Sequence, residues 1–252
     1  MNALRGRTRY PGLIDSKALS NFPSQTSFAL DVNAAIGVWQ DAAMTTPAVA
    51  DTDPVWTWQD MSGAGNHHVQ ATAGSQPKLR TGVAGSYRSV EFDGGDNLYL
   101  ANAIVGRQYA TVYMVVYMTS VTEHGAIYGI GNSANGWKYG VGADLTGDNN
   151  NITLLFDNVK FINTAYAIGL NMHLLTLRMQ NYAPYFWLDG VFKGNSSGTP
   201  YAPSAQSWIG SGSLYEGRYF TDNIVRIIAC NAQVSDVELT ATNNYLMELY
   251  GI

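Results

Sequence analysis

The sequence predicts an all-β fold, a two-sheet antiparallel sandwich closed by one C-terminal amphipathic helix. Three observations carry this. Many short apolar runs are separated by Gly, Asn, Asp and Pro, the spacing of strands in a sandwich. One run, Tyr109 to Thr119, is apolar on both faces, as a central strand covered from both sides must be. Tyr219 to Ile252 reads as a strand running into a capped helix.

In chain order, residues 1–27 stand apart from the rest. Pro11, Gly12 and Pro23 break any element there. Arg5, Arg7 and Arg9 accompany Leu4, Tyr10, Leu13, Ile14, Leu19 and Phe22, more apolar content than a solvated tail carries. The expectation is an N-terminal extended arm over 1–27 that lies on a neighbouring subunit, followed by one domain over 28–252. Phe28 to Val32 and Ile36 to Trp39 are the first strands, and Thr45 to Pro54 is a loop. Trp56 and Trp58 share one face of the next strand. Met61 to Asn66 is a turn in which Asp60 and Ser62 can bond backbone amides and Gly63 and Gly65 can take positive φ. His67 and His68 point to opposite faces if extended, which argues for turn structure and against a shared metal.

Arg88 to Phe92 is a strand and Asp93 to Asn97 a turn. In the central strand Ala110, Val112, Met114, Val116 and Met118 form one face; Tyr109, Thr111, Tyr113, Val115 and Tyr117 form the other. Shorter strands follow at His124–Gly131, Trp137–Gly142, Ile152–Phe156, Lys160–Ile162, Met172–Gln180 and Tyr185–Leu188. Asp189-Gly190 joins Leu188 to Val191 as a tight hairpin, and Ser207–Gly210 is a short strand. In the last strand Ile224, Arg226, Ile228 and Cys230 point one way and Val225, Ile227 and Ala229 the other. Ser235 with Glu238 three residues on is a capping box. Val237, Ala241, Tyr245 and Leu249 then make the predicted buried stripe, flanked by Leu239 and Leu246, and Gly251 stops the helix.

Three stretches resemble the concanavalin A-like lectin and glucanase superfamily, and within it the laminin-G-type jelly rolls. The family's terminal strand and helix are matched by Phe220, Ile224 and Ile227, then Ser235, Asp236, Glu238, Tyr245, Leu246, Tyr250 and Gly251; Asn223 and Arg226 depart from its usual residues. Trp58-Gln59-Asp60-Met61-Ser62-Gly63-Ala64-Gly65-Asn66-His67 matches its Trp-x-Asp-x-Ser-Gly-x-Gly-Asn-His motif. Val90-Glu91-Phe92-Asp93-Gly94, with Leu98 and Leu100 after it, is the third. The matches come in the family's order, so the resemblance implies a jelly roll over 28–252, while fold alone says little about function.

The chain of 252 residues is long enough for a substantial core. Its single cysteine, Cys230, excludes an internal disulfide. There is no apolar run of signal-peptide or membrane-span length. The net charge of −5 argues against nucleic acid. Charged residues are 13% of the chain while tyrosines number 16, a balance suited to contact with proteins or sugars.

Glucanases of the superfamily carry acids alternating along one strand, as Glu-x-Asp-x-Glu, to give two carboxyls about 5 to 5.5 Å apart for retaining hydrolysis. No strand here carries that pattern; Asp51 and Asp53 alternate in a loop before Pro54. Gly194-Asn195-Ser196-Ser197-Gly198 spells a nucleophile elbow, but Pro200 and Pro203 block the helix an elbow needs. Laminin-G-type domains can hold rim calcium. Asp144 and Asp148 with Asn149, or Asp93 with Asp96, are the densest oxygen clusters, too few for a hard cation and more simply turn caps. Aromatics remain. Trp137 and Tyr139 alternate on one strand and Tyr185 and Trp187 on another, and are the candidates for stacking on sugar rings against the alternative of core packing.

The expectation is therefore a non-enzymatic structural, decoration or tail subunit of a phage particle. It would be made in the host cytoplasm without a signal peptide and reside in the virion. It would attach through the arm to other virion proteins and to further copies of itself, contacting host-surface glycans and needing no cofactor. A free-standing lectin-like module and a glycoside hydrolase are the alternatives.

Overall fold

The computed structural model describes residues 28–106, 108–120, 125–132, 135–141, 151–156, 159–195, 206–211 and 219–252, giving the backbone alone at 131–132, 135–141, 151–156 and 159–167. The arm residues Arg5, Arg7, Arg9, Tyr10, Leu13, Ile14 and Phe22, and the rim acids Asp144 and Asp148, lie outside the described residues. So do Ser196 and Ser197 of the elbow-like stretch.

The chain is mostly β: two antiparallel sheets form a sandwich, and one helix follows. The strands are β1 (Phe28–Asn33), β2 (Val38–Trp39), β3 (Thr57–Trp58), β4 (His68–Val69), β5 (Lys78–Ala84), β6 (Tyr87–Glu91), β7 (Leu98–Leu100), β8 (Tyr109–Met118) and β9 (Gly125–Asn132). Then come β10 (Asn135–Val141), β11 (Asn151–Phe156), β12 (Val159–Ala167), β13 (Asn171–Gln180), β14 (Ala183–Leu188), β15 (Val191–Asn195), β16 (Ser207–Ile209), β17 (Asn223–Cys230) and the helix α1 (Asp236–Tyr250). Among the described residues one sheet has eight strands in the order β15-β14-β13-β8-β17-β6-β5, with β1 also paired to β17. The other has nine, in the order β12-β11-β10-β9-β16-β7-β4-β3-β2.

β8 shows why the sandwich has three layers. Ala110, Val112, Met114, Val116 and Met118 point into the core between the sheets, with Leu30, Trp58, Phe92, Tyr128, Leu177 and Ile227. Tyr113 and Val115 point outward, into a second cluster under α1 with Leu239, Leu246 and Tyr250. Each large side chain so buried contributes on the order of 1.5 to 3 kcal/mol, and β8 collects this on both faces, as its sequence predicted.

Two sequence expectations fail, each for a stated reason. The first is strict alternation along β17. Its register against β8 shifts between Ile224 and Arg226, a bulge that takes up one residue. Beyond it the parity is reversed: Ile224, Ile227 and Ala229 face the inter-sheet core, while Val225, Ile228 and Cys230 face the helix. The second is the helix stripe. Val237 is 80% exposed, and the buried residues are Leu239, Thr242, Asn243, Leu246 and Tyr250. Polar side chains carry this rotation, because Thr176 Oγ1 of β13 donates to Asn243 Oδ1 at 2.8 Å. The helix ends are as predicted. Ser235 and Glu238 form a capping box, and Gly251 is left-handed at φ 70°.

The Asp60 turn is also as predicted. The Asp60 carboxylate accepts from the backbone of Asp31, Ser62 and Asn66, and Gly63 and Gly65 have φ of 90° and 76°. His67 Nδ1 accepts from Asp60 N at 3.0 Å. His68 is fully buried: Nδ1 lies 3.1 Å from the Asn66 carbonyl and Nε2 3.0 Å from Ser207 Oγ. A carbonyl can only accept, so Nδ1 carries the proton and Nε2 accepts from Ser207. Ser207 Oγ lies 3.1 Å from the Tyr128 hydroxyl, which completes a polar chain inside the core. Burial drives the His68 pKa down to about 4. Among the described residues no helix is long and apolar enough to cross a membrane.

Candidate functional site

Two successive hairpins build the site. Asn181 and Tyr182 between β13 and β14 have φ of 48° and 68°, and Asp189 and Gly190 between β14 and β15 have 49° and 71°. Positive φ at both turn residues is the type I′ arrangement, whose twist matches that of paired strands. Such turns fix the register. Arg178 faces Tyr185, Thr176 faces Trp187, and Trp187 faces Phe192. Asp189 anchors the second turn: its carboxylate accepts from Leu174 N at 2.8 Å and lies 2.8 Å from His173 Nδ1.

The outer face of the sheet edge therefore presents Tyr185, Trp187 and Phe192 together. Trp187 and Phe192 have ring centroids 5.3 Å apart, and Tyr185 and Phe192 6.4 Å. The Arg178 guanidinium lies over both Tyr185 and Trp187, 5.5 and 5.2 Å from their centroids, a geometry worth about 0.5 to 2 kcal/mol each. Arg178 is itself buried and held from beneath by Asp236 at the start of α1 and by the Val234 carbonyl. Phe192 is 50% exposed on β15, which ends the sheet. Rigid rings on a fixed strand register, one of them open to solvent, can stack against the apolar C–H face of a sugar.

Tyr185 and Trp187 thus share a face, as their alternation predicted. Trp137 and Tyr139 do not join them. They belong to β10 in the other sheet, in register with Ile130 and Tyr128 of β9, and their side chains lie outside the described residues. Arg178 and Phe192 were not among the residues singled out. The signal for Arg178 was the Asn181-Tyr182 pair, which as a two-residue turn sets it opposite Tyr185; the signal for Phe192 was the Asp189-Gly190 turn, which sets it opposite Trp187.

Asp93 and Asp96 lie in one turn, where Asp93 N donates to Asp96 Oδ2 at 3.1 Å and Gly95 N to Asp93 Oδ1 at 2.9 Å. Burial, and then the charge of Asp93, raise the Asp96 pKa to about 7. Among the described residues no three His, Cys, Asp or Glu side chains group as metal ligands would.

Comparison with known proteins places this geometry. No family model matches the chain, and no curated protein does. Solved structures do. Domain 4 of AbnA, a GH43 extracellular arabinanase from Geobacillus stearothermophilus in complex with arabinotriose, superposes with a TM-score of 0.56 at 14% identity, over 72% of this chain and 90% of that domain. A GH54 α-L-arabinofuranosidase soaked with 4-nitrophenyl α-L-arabinofuranoside gives 0.68 at 11%, over 92% of this chain and 65% of the other. Trypanosoma rangeli sialidase in complex with sialic acid gives 0.60 at 12%, over 90% of this chain and 33% of the sialidase. The likeness is one of fold. This chain spans a third of the sialidase and 65% of the arabinofuranosidase.

These neighbours are carbohydrate-active β-sandwich proteins, compatible with a concanavalin A-like sandwich. They correct the expectation of a chain that is not an enzyme: solved structures that share its fold include glycoside hydrolases and a sialidase. Absence of the Glu-x-Asp-x-Glu strand excluded one arrangement of catalytic carboxyls and was too narrow a ground. Nothing found supports the phage or laminin-G parts of the expectation.

Proposed function

We propose that the chain binds carbohydrate, and that Phe192, Trp187 and Tyr185 form the stacking surface. The observation that carries this is the three-ring cluster on the edge hairpin, with the Arg178 guanidinium over two of its rings. Aromatic stacking needs rings whose position is settled before the ligand arrives, and the two I′ turns and the buried guanidinium settle it. The arabinotriose complex of AbnA domain 4, matched over 90% of that domain, supports the ligand class.

The finer reading, a glycan-contacting subunit of a virus particle, rests on the sequence alone; mass spectrometry of purified particles tests it. The binding reading is tested by a glycan array followed by titration of the hits, with Phe192→Ala and Trp187→Ala as variants. Both should weaken binding at least tenfold, Phe192→Ala with an unchanged melt because the ring is half exposed. An empty array, or hits that ignore both variants, would overturn the reading. Incubating the hits with the protein and assaying released reducing sugar reports hydrolysis in the same experiment.

A further inference from the structure

At the other end of α1 the outer face of the eight-stranded sheet opens into a cleft of about 560 Å³. Ser86 and Tyr87 from the β5–β6 turn, Tyr117 from the end of β8, Asn171 and Met172 from the start of β13, and Tyr250 from the helix line it. We propose that this cleft is a second binding site and that it takes an uncharged sugar ring.

Its size falls in the range of small-molecule sites, and its lining is mixed, three tyrosines beside the exposed Ser86 and Asn171. The walls are rigid. Tyr87 and Tyr250 meet edge to face at 5.1 Å, and the Tyr87 hydroxyl donates to the Leu249 carbonyl at 2.7 Å. The polar groups are the hydroxyl of Ser86 and the amide of Asn171, which both donate and accept as sugar hydroxyls require. Asn171 sits at φ 105°, a strained backbone for a residue with a side chain. Glycine would adopt that φ more easily.

The charge of the ligand follows from what surrounds the cleft. None of its lining side chains is ionised at neutral pH. The carbonyl end of α1 carries partial negative charge, its last turn has no basic residue and contains Glu248. Arg226 lies behind Tyr250, but it is 1% exposed and its charge is matched by Asp31. A carboxylate would meet no cation here and a negative helix end, so acidic sugars are disfavoured and neutral ones fit.

The site shares only its ligand class with the stacking surface at Phe192, and the two fail separately. The full chain is titrated with L-arabinose, D-xylose, D-galactose and D-glucose, with D-glucuronate as the charged control, by saturation-transfer NMR. At least one neutral sugar should bind in the millimolar range, and glucuronate at least fivefold more weakly. Ser86→Trp, filling the cleft from an exposed turn, and Asn171→Gly, which relieves the strained φ, should each weaken the neutral sugar at least fivefold. Asn171→Gly should melt no lower than the parent, so loss of fold cannot account for its effect. The stacking surface takes the same ligand class, so both cleft variants are made in the Phe192→Ala background, where the neutral-sugar binding that remains is the cleft's. The proposal is overturned if no neutral sugar binds in that background, if glucuronate binds as well, or if binding survives both cleft variants there. Binding lost on Phe192→Ala alone overturns it while sustaining the reading at Phe192.

Discussion

Asp31 and Arg226 form a two-pronged ion pair across 195 residues of chain, Nε to Oδ1 at 2.8 Å and Nη2 to Oδ2 at 2.7 Å. The pair joins β1 to β17 at a point where Arg226 is 1% exposed. Burial works against the guanidinium's charge, and Asp31 more than offsets it, so the Arg226 pKa rises. Tyr250 packs on the same group; burial pushes its pKa up to about 12, with Arg226 acting in the opposite direction. The bulge after Ile224 is what makes the pair possible, since it turns this stretch of β17 towards the helix.

Removing one partner leaves a buried charge unmatched. Asp31→Asn should therefore cost about 3 to 5 kcal/mol in denaturant unfolding. The double variant Asp31→Leu with Arg226→Met should cost clearly less than the two single changes added together. A single-variant loss under about 1 kcal/mol would show that the pair is not what ties β1 to β17.

His68 sets a pH dependence of definite sign. Its folded pKa of about 4 lies below the ordinary 6.5. Above 6.5 the ring is neutral in both states and its contribution is complete. As pH falls from 6.5 towards 4 the unfolded chain takes up a proton that the folded ring refuses, and stability is lost. The total is about 3 kcal/mol at about 1.4 per pH unit. Unfolding free energies of the parent and of His68→Gln across this window test it, and the variant's curve should rise less steeply with pH.

Asp96 acts in the opposite sense. Its pKa is raised from 3.8 to about 7, so its contribution is complete at low pH and is lost as pH rises towards 7. Asp96→Asn should raise the melting temperature by several degrees at pH 8 and change it little at pH 4. In the parent the two groups oppose each other over the same range, and each variant exposes the slope of the other.

Ser235→Ala removes the cap whose hydroxyl accepts from Glu238 N. It should cost about 1 kcal/mol, read as a lower melting temperature without loss of cooperativity.

What could be read from residues alone was whatever a local pattern determines. The two-faced alternation of β8, the Ser235–Glu238 box and the Asp189-Gly190 turn depend on neighbours in sequence, and all stand in the structure. The reversed parity beyond Val225 could not be read, because a bulge answers to the partner strand. The rotation of α1 was hidden for a related reason. Hydrophobicity points to Val237, yet Asn243 is drawn inward by Thr176 on a distant strand. At the candidate site, Tyr185 and Trp187 followed from alternation and Phe192 from the Asp189-Gly190 turn, but Arg178 required the register across Asn181-Tyr182. Tyr182 at positive φ disguised the turn that sets it, since glycine or asparagine is the usual marker there.

The position of β17 has a consequence for how the protein is made. β8 is paired with β13 on one side and β17 on the other, and both are synthesised after it. When β8 leaves the ribosome it is apolar on two faces and unpaired on two edges; β13, which begins at residue 171, can cover one edge, but the other stays open until β17, more than a hundred residues after β8, has been added. β1 waits longer still, since its pairing partner is also β17. Nascent chains of this protein therefore carry a central strand with an open edge through much of the second half of translation. Holdase chaperones that recognise extended apolar segments should bind them, and should release them once β17 has emerged.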